Sequence, residues 1–101
     1  MATDTKINHE LHDEVLIKYP KKYKVYLHND DYTSMDFVID ILITVFHKSY
    51  EEAEAIMIEV HKKEKGLCGA YTYEIAETKV VQVTKKAKES GFPLKVTMEE
   101  E

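Results

Sequence analysis

The apolar residues of this chain change their period at Asn29–Asp31, and this change limits the folds that the chain can adopt. Before that point, Tyr23, Val25 and Leu27 alternate with more polar neighbours, which predicts a half-buried strand. Asn and Asp favour turns because their side chains bond to nearby backbone groups. After the turn, apolar residues recur at helical spacing, at Val38, Ile41, Leu42, Val45 and Phe46. The pattern therefore predicts a strand, a polar corner and an amphipathic helix in succession.

Two capping-box spacings predict where the first two helices begin. Thr33 and Asp36 have this spacing just before the first apolar helical pattern, although Asp is a weaker third member than Glu. Ser49 and Glu52 form a fuller capping box and open the second helix. We expect the second helix to end near residues 63–66.

Two further strands are predicted in the second half of the chain. The second covers residues 67–73, with Leu67, Tyr71 and Tyr73 pointing to one side. The alternating apolar residues of the third strand are Leu94, Val96 and Met98.

A third helix is predicted over residues 74–90, with Gly91 as its left-handed terminating residue. The order β-α-α-β-α-β predicts a single α+β domain in which three helices cover one face of a short, mostly antiparallel, three-stranded sheet. A chain of 101 residues is long enough for one modest core and too short for two. Because its start is polar and aperiodic, we divide the chain into a flexible N-terminal arm at residues 1–18 and a folded core at residues 19–101.

Charge and composition exclude several classes of function. The chain has 14 basic and 19 acidic residues, a net charge of -5. Four acids against two lysines in residues 1–18, and the three glutamates at residues 99–101, account for this excess, so the remaining chain is balanced. No basic stripe indicates nucleic acid binding. No run approaches the ~20 apolar residues of a membrane span and no signal pattern is present, which indicates a cytoplasmic protein. The lone Cys68 is predicted to be a buried thiol.

The polar corner and the second helix together predict a binding site. Met57, Val60 and His61 share one helical face by their spacing. A polar clamp at the corner beside an apolar hole suits a small, positively charged ligand with an apolar part. Taken alone, however, residues 29–31 are typical of a turn, and apolar residues at such spacings are typical of a core.

Two other classes of function remain open from the residues alone. His28, Asp30, Asp31 and His61 contain ligand types that suit zinc or manganese, as in a small metal-dependent hydrolase. Such a site gives no role to Asn29 or to the methionines. A structural interaction domain, like the C-terminal domain of the ribosomal stalk protein, has a similar size and build but does not need the acid pair.

The block from Tyr23 to Val96 resembles the ClpS family, bacterial adaptors that recognise destabilising N-terminal residues and pass the substrate to the Clp unfoldase and protease. The motifs that carry the resemblance are Asn29-Asp30-Asp31-Tyr32-Thr33 with Met35, Val60-His61, Cys68-Gly69, Ala76-Glu77-Thr78-Lys79 and Pro93-Leu94. The resemblance implies an adaptor rather than an enzyme, with no cofactor and no metal.

The resemblance also implies roles for particular residues. The α-amino group of an N-degron substrate would be bound by Asn29, Asp30, Asp31 and His61, with Asp30 in support. The hydrophobic pocket for a first residue Leu, Phe, Tyr or Trp would be lined by Thr33, Met35, Met57, Val60 and Leu94. In the family, the methionine equivalent to Met35 narrows the entrance against β-branched side chains.

The implied partner is the N-terminal domain of a Clp unfoldase, of the ClpA or ClpC type, contacted by a monomer through Glu74 and Lys79. The arm, residues 1–18, resembles the segment that engages the unfoldase during transfer. Two residues depart from the family pattern. Ser34 stands where many relatives have proline, and Glu64 stands where many have glycine, so we expect the second helix to end later, at Gly66.

Overall fold

The computed structural model describes residues 21–101, and the arm predicted at residues 1–18 lies outside them. The elements, in chain order, are β1 Lys22–His28, α1 Met35–Thr44, α2 Tyr50–Lys63, β2 Lys65–Thr72, α3 Tyr73–Ser90 and β3 Lys95–Glu100. This order and the α+β class confirm the prediction from the hydrophobic pattern.

The sheet has the order β2-β1-β3, and both pairings are antiparallel. The strand that comes first in the chain is therefore central, and its buried residues Val25 and Leu27 are fully covered. Helix α3 packs against all three strands, while α2 packs against β2 and α1. The core lies between these helices and one face of the sheet.

A β-bulge in β2 changes the predicted direction of its side chains. The pairing of Val25 with Gly69 and of Tyr26 with Leu67 leaves Cys68 as the extra residue. Because an extra residue shifts the alternation, Cys68 is fully buried while Leu67 is 39% exposed. The prediction that Leu67 and Tyr71 share one side is therefore wrong, since Tyr71 packs against the core. The buried thiol at Cys68 is confirmed, and burial raises its pKa to about 12.

The start of α1 is shifted by one residue from its predicted capping box. Ser34 is the N-cap, and its hydroxyl accepts a hydrogen bond from the Phe37 backbone N–H at 3.2 Å. Thr33 lies one residue before the N-cap, and its hydroxyl donates to Asp30 Oδ2. The second capping box is confirmed: Ser49 and Glu52 exchange bonds of 3.2 and 3.0 Å.

The ends of α2 and α3 both use a left-handed residue. Gly91 ends α3 with φ 76°, as predicted. Helix α2 ends at Lys63, and Glu64 follows it with φ 70°. The expectation that Glu64 would prolong the helix to Gly66 is wrong, because Glu64 adopts the left-handed conformation and the chain enters β2 at Lys65.

Candidate functional site

A cavity of about 280 Å³ opens where the corner after β1 meets the start of α1 and one face of α2. Its lining residues are Asn29, Asp30, Asp31, Thr33, Met35, Val38, Met57, Val60 and His61. The polar corner and the second helix, which are about thirty residues apart in the chain, therefore converge on one site.

The corner is held rigid by Asp30. Its Oδ1 accepts from the backbone N–H groups of Tyr32 at 2.8 Å and Thr33 at 2.7 Å, and its Oδ2 accepts from the Thr33 hydroxyl at 2.7 Å. Burial alone would raise the pKa of Asp30, but the bonds from Thr33 and Tyr32 outweigh burial and lower it. Asp30 therefore stays ionised and folds the corner around itself.

The neighbouring Asp31 has a different environment. It is exposed to solvent and lines the cavity, and within residues 21–101 its carboxylate has no hydrogen-bond or ion-pair partner. An unsatisfied carboxylate at the rim of a cavity attracts a cationic donor. The carboxylate of Asp31 is therefore unpaired within residues 21–101, whereas both oxygens of Asp30 accept hydrogen bonds inside the corner.

A backbone bond joins the corner to the end of α2. The Asn29 N–H donates to the Glu64 carbonyl at 2.8 Å, and this bond brings the last turn of α2, which carries His61, against the corner. The left-handed conformation of Glu64 aims that carbonyl at Asn29. Asn29, Asp31 and His61 consequently line the same cavity.

The cavity also has apolar lining residues. Met57 is half-buried, Val60 is 4% exposed, and Met35 stands at the rim with 62% exposure. Val60 keeps its place because β2 passes close beneath it at Gly66, where a Cβ atom would lie 2.7 Å from Val60 Cγ2. A close helix–strand approach thus fixes the floor of the cavity.

The structure separates Leu94 from the other predicted pocket residues. Leu94 is 6% exposed and belongs to the core next to β3, and it does not line the cavity. Val38 lines the cavity instead. Sequence reasoning assigned Val38 to the core face of α1, although its position three residues after Met35 places the two side chains on neighbouring parts of one helix surface.

His28 points away from the cavity. Its Nε2 lies 2.7 Å from the Thr97 hydroxyl on the neighbouring strand β3, and His28 is absent from the cavity lining. Residues 21–101 contain no group of three or more His, Cys, Asp or Glu side chains arranged to hold a metal ion. The donor set of the predicted hydrolase alternative is therefore divided, with Asp30, Asp31 and His61 at the cavity and His28 next to Thr97.

Glu74 and Lys79 lie on α3, outside the cavity. Glu74 is exposed, and its neighbours Tyr73 and Ile75 are 51% and 49% exposed. Lys79 is half-buried, and its Nζ donates to the Val45 carbonyl at the end of α1 at 2.6 Å. Lys79 thus has a structural contact in addition to any role toward a partner.

Comparison with known proteins identifies relatives along most of the chain. A family model described as "ATP-dependent Clp protease adaptor protein ClpS" matches residues 18–97. The ClpS adapter protein of Desulforapulum autotrophicum is 63% identical over 83 residues, which cover 82% of this chain and 80% of that protein. The ClpS adapter protein of Wolinella succinogenes is 50% identical over 91 residues, 90% of this chain and 89% of that protein.

A solved structure has the same fold. It is that of Agrobacterium tumefaciens ClpS2 bound to L-phenylalaninamide, with a TM-score of 0.80 and 41% sequence identity over 82% of this chain and 100% of that chain.

Among residues 21–101, no helix has both the length and the apolar composition to cross a membrane. The family match and the identity of the relatives show that this chain belongs to the ClpS family of Clp protease adaptors, which are adaptor proteins and not enzymes.

Proposed function

We propose that the cavity binds the free α-amino group and the bulky hydrophobic first side chain of N-degron substrates, and that the chain delivers them to a Clp unfoldase. The observation that carries the proposal is that one cavity is lined both by residues with hydrogen-bond acceptors and by apolar side chains. The A. tumefaciens relative binds L-phenylalaninamide, a ligand with a free amino group and an aromatic side chain.

The hydrogen-bond acceptors that line the cavity suit an ammonium group. A terminal ammonium has three donors and a pKa of ~7.7 to 8.0, so it is mostly charged at neutral pH. Asp31 and the side-chain oxygen of Asn29 supply two acceptors. His61 supplies the third as a neutral imidazole, because a protonated ring has no acceptor and repels the ligand.

The apolar lining residues of the cavity account for the preference for a bulky hydrophobic side chain at the first residue of the substrate. Burying a Leu or Phe side chain contributes about 1.5 to 3 kcal/mol, and each charge-assisted hydrogen bond contributes about 1.5 to 3 kcal/mol. After the cost of association, these contributions are consistent with dissociation constants near ~1 μM, which correspond to about -8.2 kcal/mol. Such moderate affinity suits an adaptor that must release its substrate.

The test is calorimetric titration of the full chain with a peptide that begins with Phe. Asp31→Ala removes the free carboxylate and is expected to abolish detectable binding, and His61→Ala is expected to weaken it strongly. Asp40→Ala is the matched control, because Asp40 is exposed on α1 and does not line the cavity. Equal affinities for Asp31→Ala and Asp40→Ala would refute the proposed polar clamp.

Delivery is the second half of the proposal. The partner is the N-terminal domain of an unfoldase of the ClpA or ClpC type, bound by a monomer in the cytoplasm through the part of α3 that carries Glu74 and Lys79. Support comes from the exposed side chains of Tyr73 and Ile75 on either side of Glu74, because aromatic residues are enriched at partner-binding surfaces and polar residues form their rim. Residues 1–18 are proposed to engage the unfoldase during transfer.

A further inference from the structure

The part of α2 that lines the cavity also packs on one glycine of β2. The lining residues of α2 are Met57, Val60 and His61, all in the second half of the helix. Gly66 is buried against this half, and it is paired with Leu27 of the central strand. A short stretch of helix therefore has the cavity on one of its sides and the sheet on another.

The approach of α2 to Gly66 leaves no room for a side chain. A Cβ atom on Gly66 would lie 2.7 Å from Val60 Cγ2, 3.1 Å from the Ile56 carbonyl oxygen and 3.3 Å from the Val60 backbone nitrogen. The last two atoms belong to the helix backbone, where they are the two ends of one hydrogen bond between residues four apart. A new rotamer of Val60 would remove the first contact but not the other two. A side chain at residue 66 must therefore displace either this turn of α2 or the strand.

The strand is the less able of the two to move. Gly66 is paired with Leu27, which is fully buried in the centre of the sheet. The Asn29 N–H donates to the Glu64 carbonyl at 2.8 Å and holds the start of β2 against the corner. The turn of α2, in contrast, borders the open space of the cavity, about 280 Å³. Because a close-packed interior resists compression and open space does not, the turn yields toward the cavity.

We propose that Gly66 is a positioning residue that sets the size of the cavity and, through it, the largest first side chain that the adaptor accepts. It acts through Val60, which is 4% exposed and lines the cavity. With glycine at residue 66, the turn of α2 stays close to the sheet and the cavity keeps room for an aromatic ring. This inference rests on the proposed binding of a first side chain in the cavity.

The test is calorimetric titration of the full chain with two peptides that begin with Trp or Leu and are otherwise identical. Gly66→Ala is expected to lower the affinity for the Trp peptide about tenfold and that for the smaller Leu by less than about twofold, because overpacking affects the larger group most. The ratio of the two affinities is the readout, since a loss of folded protein lowers both alike. If the unsubstituted chain binds both peptides and the ratio is unchanged in Gly66→Ala, the inference is overturned while the proposed function stands.

Gly91→Ala is the matched control. Gly91 has φ 76°, and apart from its chain neighbours no atom of residues 21–101 lies within 4 Å of an added Cβ. The same substitution therefore strains the end of α3 through its backbone conformation alone. It should lower stability and leave the ratio of affinities unchanged. An equal change of the ratio in both glycine variants would contradict a specific effect of Gly66 on the cavity.

A double substitution tests whether Gly66 acts through Val60. Val60→Ala removes the side-chain atom nearest to the added Cβ, so Gly66→Ala with Val60→Ala should recover most of the affinity for Trp relative to Leu. A double variant with a ratio as low as that of Gly66→Ala would contradict the proposal. The two backbone contacts remain in the double variant, so its ratio should lie below that of Val60→Ala alone. If Gly66→Ala does not fold, this second comparison decides, and equal ratios would overturn the proposal.

A crystal structure of Gly66→Ala tests the geometry without a ligand. The turn that carries Val60 is expected to lie roughly a few tenths of an ångström further from the strand, with a smaller cavity. This result does not depend on what the cavity binds. A turn that keeps its place while β2 moves would overturn the proposal.

Discussion

Asp30 and Asp31 are adjacent and chemically identical, yet the structure gives them different tasks. Asp30 uses both oxygens to hold the backbone of Tyr32 and Thr33, while Asp31 stays exposed at the cavity rim. The difference arises because successive side chains of a turn point in different directions. At this scale, one carboxylate shapes the site and the other is proposed to bind the ligand.

The first prediction concerns the titration of Asp30. Its folded pKa is lowered, so its bonds stabilise the fold above the unfolded pKa, and this contribution is lost as the pH falls through the lower folded value. Thr33→Val removes the hydroxyl donor while it keeps the backbone N–H. We expect the pKa of Asp30 to rise toward its ordinary value, measured by NMR titration of the side-chain carboxyl carbon. An unchanged titration would show that the hydroxyl bond is not a cause.

The second prediction concerns Met35, which stands at the cavity rim with 62% exposure. Met35→Ala widens the entrance, so a peptide that begins with Ile or Val is expected to bind about tenfold more tightly, a gain of about 1.4 kcal/mol. Ile43→Ala is the control, because Ile43 is partly exposed on the same helix outside the cavity. Unchanged discrimination between Ile and Leu peptides would show that Met35 is not the entrance filter.

At the scale of elements, the end of α2 links fold and site. The left-handed conformation of Glu64 both reverses the chain into β2 and directs its carbonyl to the Asn29 N–H. An L-residue with a Cβ atom is disfavoured in this conformation, whereas glycine adopts it freely.

The third prediction follows from this strain. Glu64→Gly is expected to raise the free energy of unfolding by about 1 kcal/mol, after the larger entropy of glycine in the unfolded chain is subtracted. Glu64→Ala removes the same charge but keeps the Cβ atom, so it should not stabilise the fold. Denaturant unfolding of the unsubstituted protein and the two variants measures this difference. Equal stabilities for the two variants would contradict the explanation from backbone strain at residue 64.

The fourth prediction separates two roles on α3. Lys79→Met keeps the aliphatic chain but removes the charged donor to the Val45 carbonyl, so we expect a loss of stability of about 1 to 2 kcal/mol. Glu74→Ala, at an exposed position, should leave stability unchanged and weaken binding to the unfoldase N-terminal domain. Denaturant unfolding measures the first effect and a binding titration the second.

The control for Lys79→Met is Lys85→Met, because Lys85 is exposed on the same helix. Equal stability of these two variants would show that the bond between α3 and the end of α1 contributes nothing measurable.

At the scale of the whole molecule, the hydrophobic period was sufficient to predict the order of elements and the fold class. The sequence was a poorer guide to individual caps and to the direction of strand side chains, because neighbouring residues can form alternative hydrogen bonds. Thr33 has the spacing of a cap, but Ser34 is the N-cap, and the Thr33 hydroxyl donates to Asp30 in the preceding corner. Leu67 and Tyr71 had the spacing of one strand face, but the bulge at Cys68 depends on pairing with β1 and has no local signal.

The lining of the cavity could likewise be predicted only in part from the sequence. Residues 29–31 and the face of α2 with Met57 and His61 were identified from sequence because they combine unusual polarity with helical spacing, while their assignment to one site depended on the family resemblance. Val38 fits the apolar pattern of a helix and Leu94 that of a strand, so the sequence pattern does not distinguish them. Only the packing of α1, α2 and β3 determines which of them faces the cavity.

The central claim is that the cavity recognises a free ammonium group beside an apolar side chain. Its most direct test is the affinity of the full chain for two peptides that begin with Phe and differ only by acetylation of the α-amino group. Acetylation removes the charge and two of the three donors, so affinity is expected to fall about a hundredfold or more. Equal affinity for the free and acetylated peptides would contradict the account.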